Sequence, residues 1–186
     1  MQDEFLWDAL RSPLTKVLLA AAIILVLLWR LERRNKNAIQ VFAASKGYSF
    51  EPRLKSPNLS LEETSFFQKG DVIKNVVRGV LPDTTLANMV VLRGAPFVLF
   101  EHETTRREDG DFTQTIVAFE VKPESSFRQA NLGASGLQME RAGNYVFFWK
   151  KQGRVPVRQL EEFLISARQS VVFVPMFSAF NAAKRG

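Results

Sequence analysis

Cysteine is absent from the chain, and histidine occurs once, at position 102. The first absence excludes a disulfide framework, thiolate metal sites and a cysteine nucleophile. It does not fix the redox compartment. The second leaves too few nitrogen and sulfur donors for a zinc site, which needs three or four converging ligands. Chemistry-bearing motifs are missing as well. There is no glycine-rich phosphate loop, no dinucleotide fingerprint and no His-Glu-x-x-His. Gly133-Ala134-Ser135-Gly136 lacks the Gly-x-Ser-x-Gly spacing of a nucleophile elbow. No catalytic residue, cofactor or metal is therefore expected, and the chain is read as not an enzyme.

Charge is not scarce, but it is unevenly placed. The net charge is +6 over 186 residues. Roughly half of that excess falls between Arg30 and Lys36, where Arg30, Arg33, Arg34 and Lys36 face only Glu32. The rest of the chain mixes both signs. A nucleic-acid binder usually concentrates its basic residues on one face, so no nucleic-acid partner is expected. Hydrophobic residues make up 46% of the chain and 16 residues are Phe, far from the composition of a disordered tail.

The long hydrophobic run near the N-terminus is the strongest signal. Val17 to Trp29 is apolar without a break (Val17, Leu18, Leu19, then three alanines, Ile23, Ile24, Leu25, Val26, Leu27, Leu28 and Trp29). Leu14 and Leu31 extend it, while Lys16 and Arg30 can snorkel toward the headgroups. Trp29 suits the interfacial belt. Residues 13–31 are read as a transmembrane helix after a short N-terminal segment, 1–12, with Pro13 in its first turn. A cleaved signal peptide would want a basic start and a small-residue cleavage site, and this N-terminus carries Asp3, Glu4 and Asp8. Basic residues stay on the cytoplasmic side of a span. Arg30, Arg33, Arg34 and Lys36 therefore place the N-terminus outside and the following domain inside a bacterial inner membrane.

Beyond the span, Ile39, Phe42 and Ala43 continue helical spacing to a stop at Gly47, giving a juxtamembrane helix over 32–47 with no flexible linker. Residues 48–171 then read as one soluble domain. Strands are expected at 48–53, 72–81, 86–92, 96–105, 113–121, 137–141 and 145–151. Pro82-Asp83, Arg93-Gly94-Ala95 and Arg107 to Asp111 are the turns between the middle strands. Ser60 and Glu63 have capping-box spacing, and Ser125 to Leu132 reads as a short helix. Tyr145, Phe147 and Trp149 alternate with Val146 and Phe148, the pattern of a strand buried on both faces. Pro156 opens a helix to about Ser170 whose apolar stripe runs through Leu160, Phe163, Leu164, Ala167 and Val171. The fold class is α+β: one N-terminal transmembrane helix, then an antiparallel β-sheet domain packed with a C-terminal helix.

Several of these landmarks together resemble a family of uncharacterised bacterial membrane-anchored proteins. They are Gly47-Tyr48-Ser49-Phe50, Phe67-Gln68-Lys69-Gly70, Asn75-Val76-Val77-Arg78-Gly79, Phe100-Glu101-His102, Gln114-Thr115-Ile116-Val117 and Arg154-Val155-Pro156. Where the family has a Phe-Asp-Tyr strand, this chain has Phe100-Glu101-His102. The resemblance spans roughly residues 15–170. It implies an N-terminal span and an α+β domain, and brings no activity with it.

Two segments invite a functional reading. His102 stands between Glu101 and Glu103. Strand geometry puts His102 with Phe100 and Thr104, and both glutamates on the opposite face, so an ordinary strand histidine is expected rather than a ligand. The residues 172–186 form an aromatic tail with Phe173, Met176, Phe177 and Phe180. It can fold onto its own core, dock on a partner protein or lie on the membrane surface. With Arg106 and Arg107 of the charged hairpin, those aromatics are the candidate partner interface.

The resulting expectation is a non-catalytic accessory or structural subunit of a larger bacterial membrane complex, respiratory, photosynthetic or secretory. Its partners would be the bilayer and other proteins, and no small-molecule ligand is expected. A membrane-tethered ligand-binding or sensory domain is the alternative, and a membrane-bound enzyme the third reading.

Overall fold

A computed structural model describes residues 12–54, 59–68, 70–81, 96–106, 110–121, 127–129, 136–151 and 153–173. The expected strand at 86–92 and the turns at 82–83 and 93–95 lie outside these residues. The chain divides into two compact units, Met1–Ala38 and Ile39–Gly186.

From residue 13 onward the described residues of the first unit belong to helix α1 (Pro13–Ser45), which runs on into the second unit. α1 is 33 residues long, with a window of mean hydropathy 2.2 that buries nothing inside the protein. It is long and apolar enough to cross a membrane. Leu14, Val17, Leu18, Leu19, Ile23, Ile24, Leu25, Val26, Leu27, Leu28 and Trp29 are all exposed. Among the described residues none covers this apolar surface.

The second unit begins with the last turns of α1, where Ile39 and Ala43 are buried. Gly47 ends the helix as expected. Its φ of 71° is the left-handed conformation of a C-terminal cap, and Tyr48 N–H donates back to the Ala43 carbonyl at 2.8 Å. Next comes a six-stranded antiparallel sheet built from β1 (Ser49–Arg53), β2 (Val72–Val80), β3 (Pro96–Arg106), β4 (Gly110–Glu120), β6 (Leu137–Ala142) and β7 (Tyr145–Lys150). Its order is β1-β2-β3-β4-β7-β6. β7 is thus interior, in keeping with its aromatic residues on both faces.

Each face of the sheet has its own core. On one, Leu99, Val117, Phe119, Val146 and Phe148 pack with Ile39 and Ala43 of α1. The same cluster includes Leu160, Phe163, Leu164 and Ala167 of helix α2 (Leu160–Gln169). On the other, Phe100, Ile116, Phe147 and Trp149 pack with Leu59, Leu61 and Phe66 of the β1–β2 connection. Alternation along a strand sends neighbours to opposite faces, so two apolar covers require strands apolar at nearly every position. β7 meets this, with its four central residues all buried.

The structure differs from the sequence reading in four places. The Ser60–Glu63 capping box does not form. Ser60 sits at φ 50°, its side chain makes no cap hydrogen bond, and only a 3-10 turn, Leu61–Glu63, follows. Residues within the expected helix 125–132 form strand β5 (Phe127–Gln129), which pairs antiparallel with β8 (Val171–Phe173). Pro156 opens a 3-10 turn, Val157–Gln159, before α2 proper. α2 stops at Gln169, so Val171 belongs to β8 and not to the helical stripe. β8 also takes Val172 and Phe173 out of the aromatic tail.

Gly79 is fixed by packing. A Cβ there would run into the Tyr48 ring, and that ring lies edge-on to Phe97 with centroids 5.0 Å apart. Gly79→Ala is expected to cost about 1–3 kcal/mol through displacement of Tyr48, read as a lower denaturation midpoint of the full chain in mild detergent.

Candidate functional site

The polar groups able to do chemistry gather around Glu101 and His102, which β3 sends to opposite faces. Thr104, Gln114, Thr115 and Asn75 are buried with them. The two side chains nucleate separate networks.

Glu101 is 1% exposed. Its Oε1 pairs with Arg154 Nε at 2.8 Å, and its Oε2 accepts from Asn75 Nδ2 at 2.7 Å. Asn75 reaches it because β2 is irregular. The β2–β3 register shifts between Lys74 and Val77, and Asn75 takes φ 53°. Asparagine tolerates this left-handed conformation better than the surrounding valines would, and bulges re-aim side chains in this way. Arg154 arrives from the connection after β7. Gly153 sits at φ 90°, and Val155 N–H donates to Thr115 Oγ1 at 2.8 Å, which straps the connection to β4. A buried carboxylate needs such partners, because an unpaired charge in the interior costs several kcal/mol.

His102 is the centre of the second network. Its Nε2 lies 2.7 Å from Asp71 Oδ2, with the two side chains 2% and 6% exposed. Asp71 comes from the turn before β2, where it also accepts the Gln68 backbone N–H at 2.8 Å. Burial alone would raise the Asp71 carboxyl. Hydrogen bonds from Gln68, His102 and Thr104 outweigh it and hold the group below the usual carboxylate range. An ionised carboxylate only accepts, so Nε2 carries the proton between them. Phe66 and Phe67 flank the imidazole with centroids 5.7 and 5.8 Å away.

A histidine oriented by a carboxylate is two-thirds of a nucleophilic triad. Here the far nitrogen, Nδ1, is buried, and among the described residues no hydroxyl or other group hydrogen-bonds to it. Among the described residues no group of three or more His, Asp or Glu converges to hold a metal. The pair ties Asp71, and through it the Gln68 backbone, to β3. The sign of its pH dependence follows. A depressed folded-state pKa gives stability that is present above the unfolded carboxylate value, about 3.9. That stability is lost as pH falls through the lower folded value. The stability advantage of the wild type over Asp71→Asn is expected to persist at neutral pH and to shrink as pH falls below about 4, measured by denaturant titration at each pH.

The residues expected to act at surfaces are distributed differently. Arg30, Arg33 and Arg34 are exposed and Lys36 partly so, with the Arg33 guanidinium 5.4 Å from the centre of the Trp29 ring. Phe173 ends β8, paired through the backbone with Phe127. Arg106 ends β3 opposite Gly110. Met176, Phe177, Phe180 and Arg107 lie outside the described residues. The opposed faces of Glu101 and His102 follow from strand alternation. Their partners do not, since Asp71 lies in the turn before β2, Asn75 at the irregularity within β2 and Arg154 in the connection after β7. An Asn within a valine-rich strand and an Asp after a turn glycine were the available signals. Comparison with protein-family models, with curated proteins and with solved structures finds no match.

Proposed function

We propose that this chain is a non-catalytic, membrane-anchored accessory or structural subunit of a larger bacterial membrane complex. α1 would span the inner membrane, with the N-terminus outside and the sheet domain in the cytoplasm. The observation that carries the non-catalytic reading is how the reactive side chains are used. Glu101 binds Asn75 and Arg154, and His102 and Asp71 bind one another, each set tying a connection to β3. An acid–base catalyst must reach a substrate proton at about 2.6–3.2 Å, and Glu101 and His102 are both almost fully enclosed. The anchor reading rests on the exposed apolar surface of α1. The orientation rests on the basic flank. A protein confined to the membrane plane, without a reaction to perform, serves by what it holds.

Membrane fractionation with topology mapping tests the anchor. The full chain is expected to resist alkaline carbonate extraction, and a protease added to spheroplasts should leave the sheet domain intact. Release by carbonate would remove the anchor, and digestion of the domain from outside would reverse the orientation.

A further inference from the structure

Three of the four basic residues that follow the apolar run are arginines, and one is already seated on an aromatic ring. At about 100° per residue, Trp29, Arg30, Arg33, Arg34 and Lys36 fall within an arc of about 160° on α1, and Glu32 falls outside it. From Pro13 to Trp29 the helix rises about 25 Å, close to the hydrocarbon thickness of about 30 Å, which sets Trp29 at the interface. From Trp29 to Lys36 it rises a further 10 Å or so, spanning a headgroup layer of about 5–8 Å.

We propose that this face is a binding site for anionic phospholipid headgroups, selecting them over zwitterionic ones. The proposal rests on the reading of α1 as a membrane anchor. Charge complementarity names the occupant, since four cations stand against one carboxylate in seven residues. Residue type sharpens it. Guanidinium groups match phosphate oxygens in bidentate pairs, which a lysine-only flank cannot do. Arg33, held 5.4 Å over Trp29, has less side-chain freedom to lose when a phosphate binds. Trp29 meanwhile lies beside the glycerol and upper chains of the same lipid. An inner-leaflet surface potential adds attraction for each basic group near it.

The test reconstitutes the full chain into nanodiscs of equal phosphatidylcholine and phosphatidylglycerol, with brominated acyl chains on one lipid or the other. The quenching of Trp29 fluorescence, taken as wild type minus Trp29→Phe, reports which lipid sits against it. Bromine on phosphatidylglycerol is expected to quench about twofold or more strongly than bromine on phosphatidylcholine. The difference should shrink in about 1 M salt, where screening shortens to about 3 Å. The combined variant Arg30→Gln, Arg33→Gln, Arg34→Gln, Lys36→Gln should erase it. Equal quenching by both lipids in the wild type, or a difference unchanged in the variant, overturns the proposal. So does loss of the difference on adding inorganic phosphate at matched ionic strength, which would make the site one for free phosphate. Failure of the chain to float with the discs would instead remove the anchor reading, and so separates the two.

Discussion

Phe148→Ala is expected to destabilise the second unit by about 3–5 kcal/mol, the range for deleting a fully buried phenyl ring. Phe148 is completely enclosed. It stands edge-on to Phe119, with centroids 6.1 Å apart and an interplanar angle of 71°, and shares its cluster with Leu160 and Phe163 of α2. Rigid strands flank it, so the void would collapse little, and both the transfer and the cavity contributions would be felt. A domain of this size is stable by about 5–15 kcal/mol in total, so the variant should approach the edge of folding. Phe112→Ala is the control. Phe112 is 39% exposed and its loss should cost under about 1 kcal/mol. Denaturant titration of the full chain in mild detergent, followed by Trp149 fluorescence, separates the two.

The second large effect is at Glu101. Glu101→Ala removes the partner of both Arg154 and Asn75. Breaking a buried ion pair from one side costs about 3–5 kcal/mol. Arg154 is 32% exposed and can turn toward water, which places the expected loss at the lower end of that range. Asn75 cannot, being 2% exposed. Glu101→Gln keeps an acceptor for Asn75 Nδ2 and gives up only the charge, so it should cost markedly less. Asn75→Gly preserves the left-handed backbone while deleting the hydrogen bond. Combined with Glu101→Ala it should cost less than the two separate losses added together, the mark of a direct interaction. Strict additivity would mean that the carboxylate and the amide act independently.

These two sites also show what the amino-acid order could and could not disclose. Phe148 was legible because β7 alternates aromatics on both faces, a local pattern that only an interior strand satisfies. The C-terminal end of α1 was legible from Gly47, and the antiparallel pairs β3–β4 and β6–β7 from the few residues that separate their strands in the sequence. β5 was not. Its partner β8 lies beyond α2 in the chain, and a three-residue strand has no periodicity of its own to oppose a helical reading. Val171 continues the α2 stripe in sequence, yet the helix ends before it, with Ser170 Oγ bonded to the Ser166 carbonyl at 2.9 Å. The Ser60 cap failed because spacing cannot report φ, and the left-handed Ser60 makes no side-chain bond to the turn it would cap. Around Glu101 and His102 the two faces were readable and the partners were not. A bulge in β2 decides whether Asn75 reaches Glu101, and bulges leave no reliable trace in a valine-rich run.

The central claim is that the chain works as a fixed component of a membrane assembly. Purification of the tagged full-length protein from its native membranes in mild detergent, with mass spectrometry of what travels with it, tests this most directly. The account predicts membrane-protein partners at a constant stoichiometric ratio, retained through size exclusion. A lone monomer or a pure homo-oligomer, recovered without partners under conditions that keep other membrane complexes intact, would contradict it.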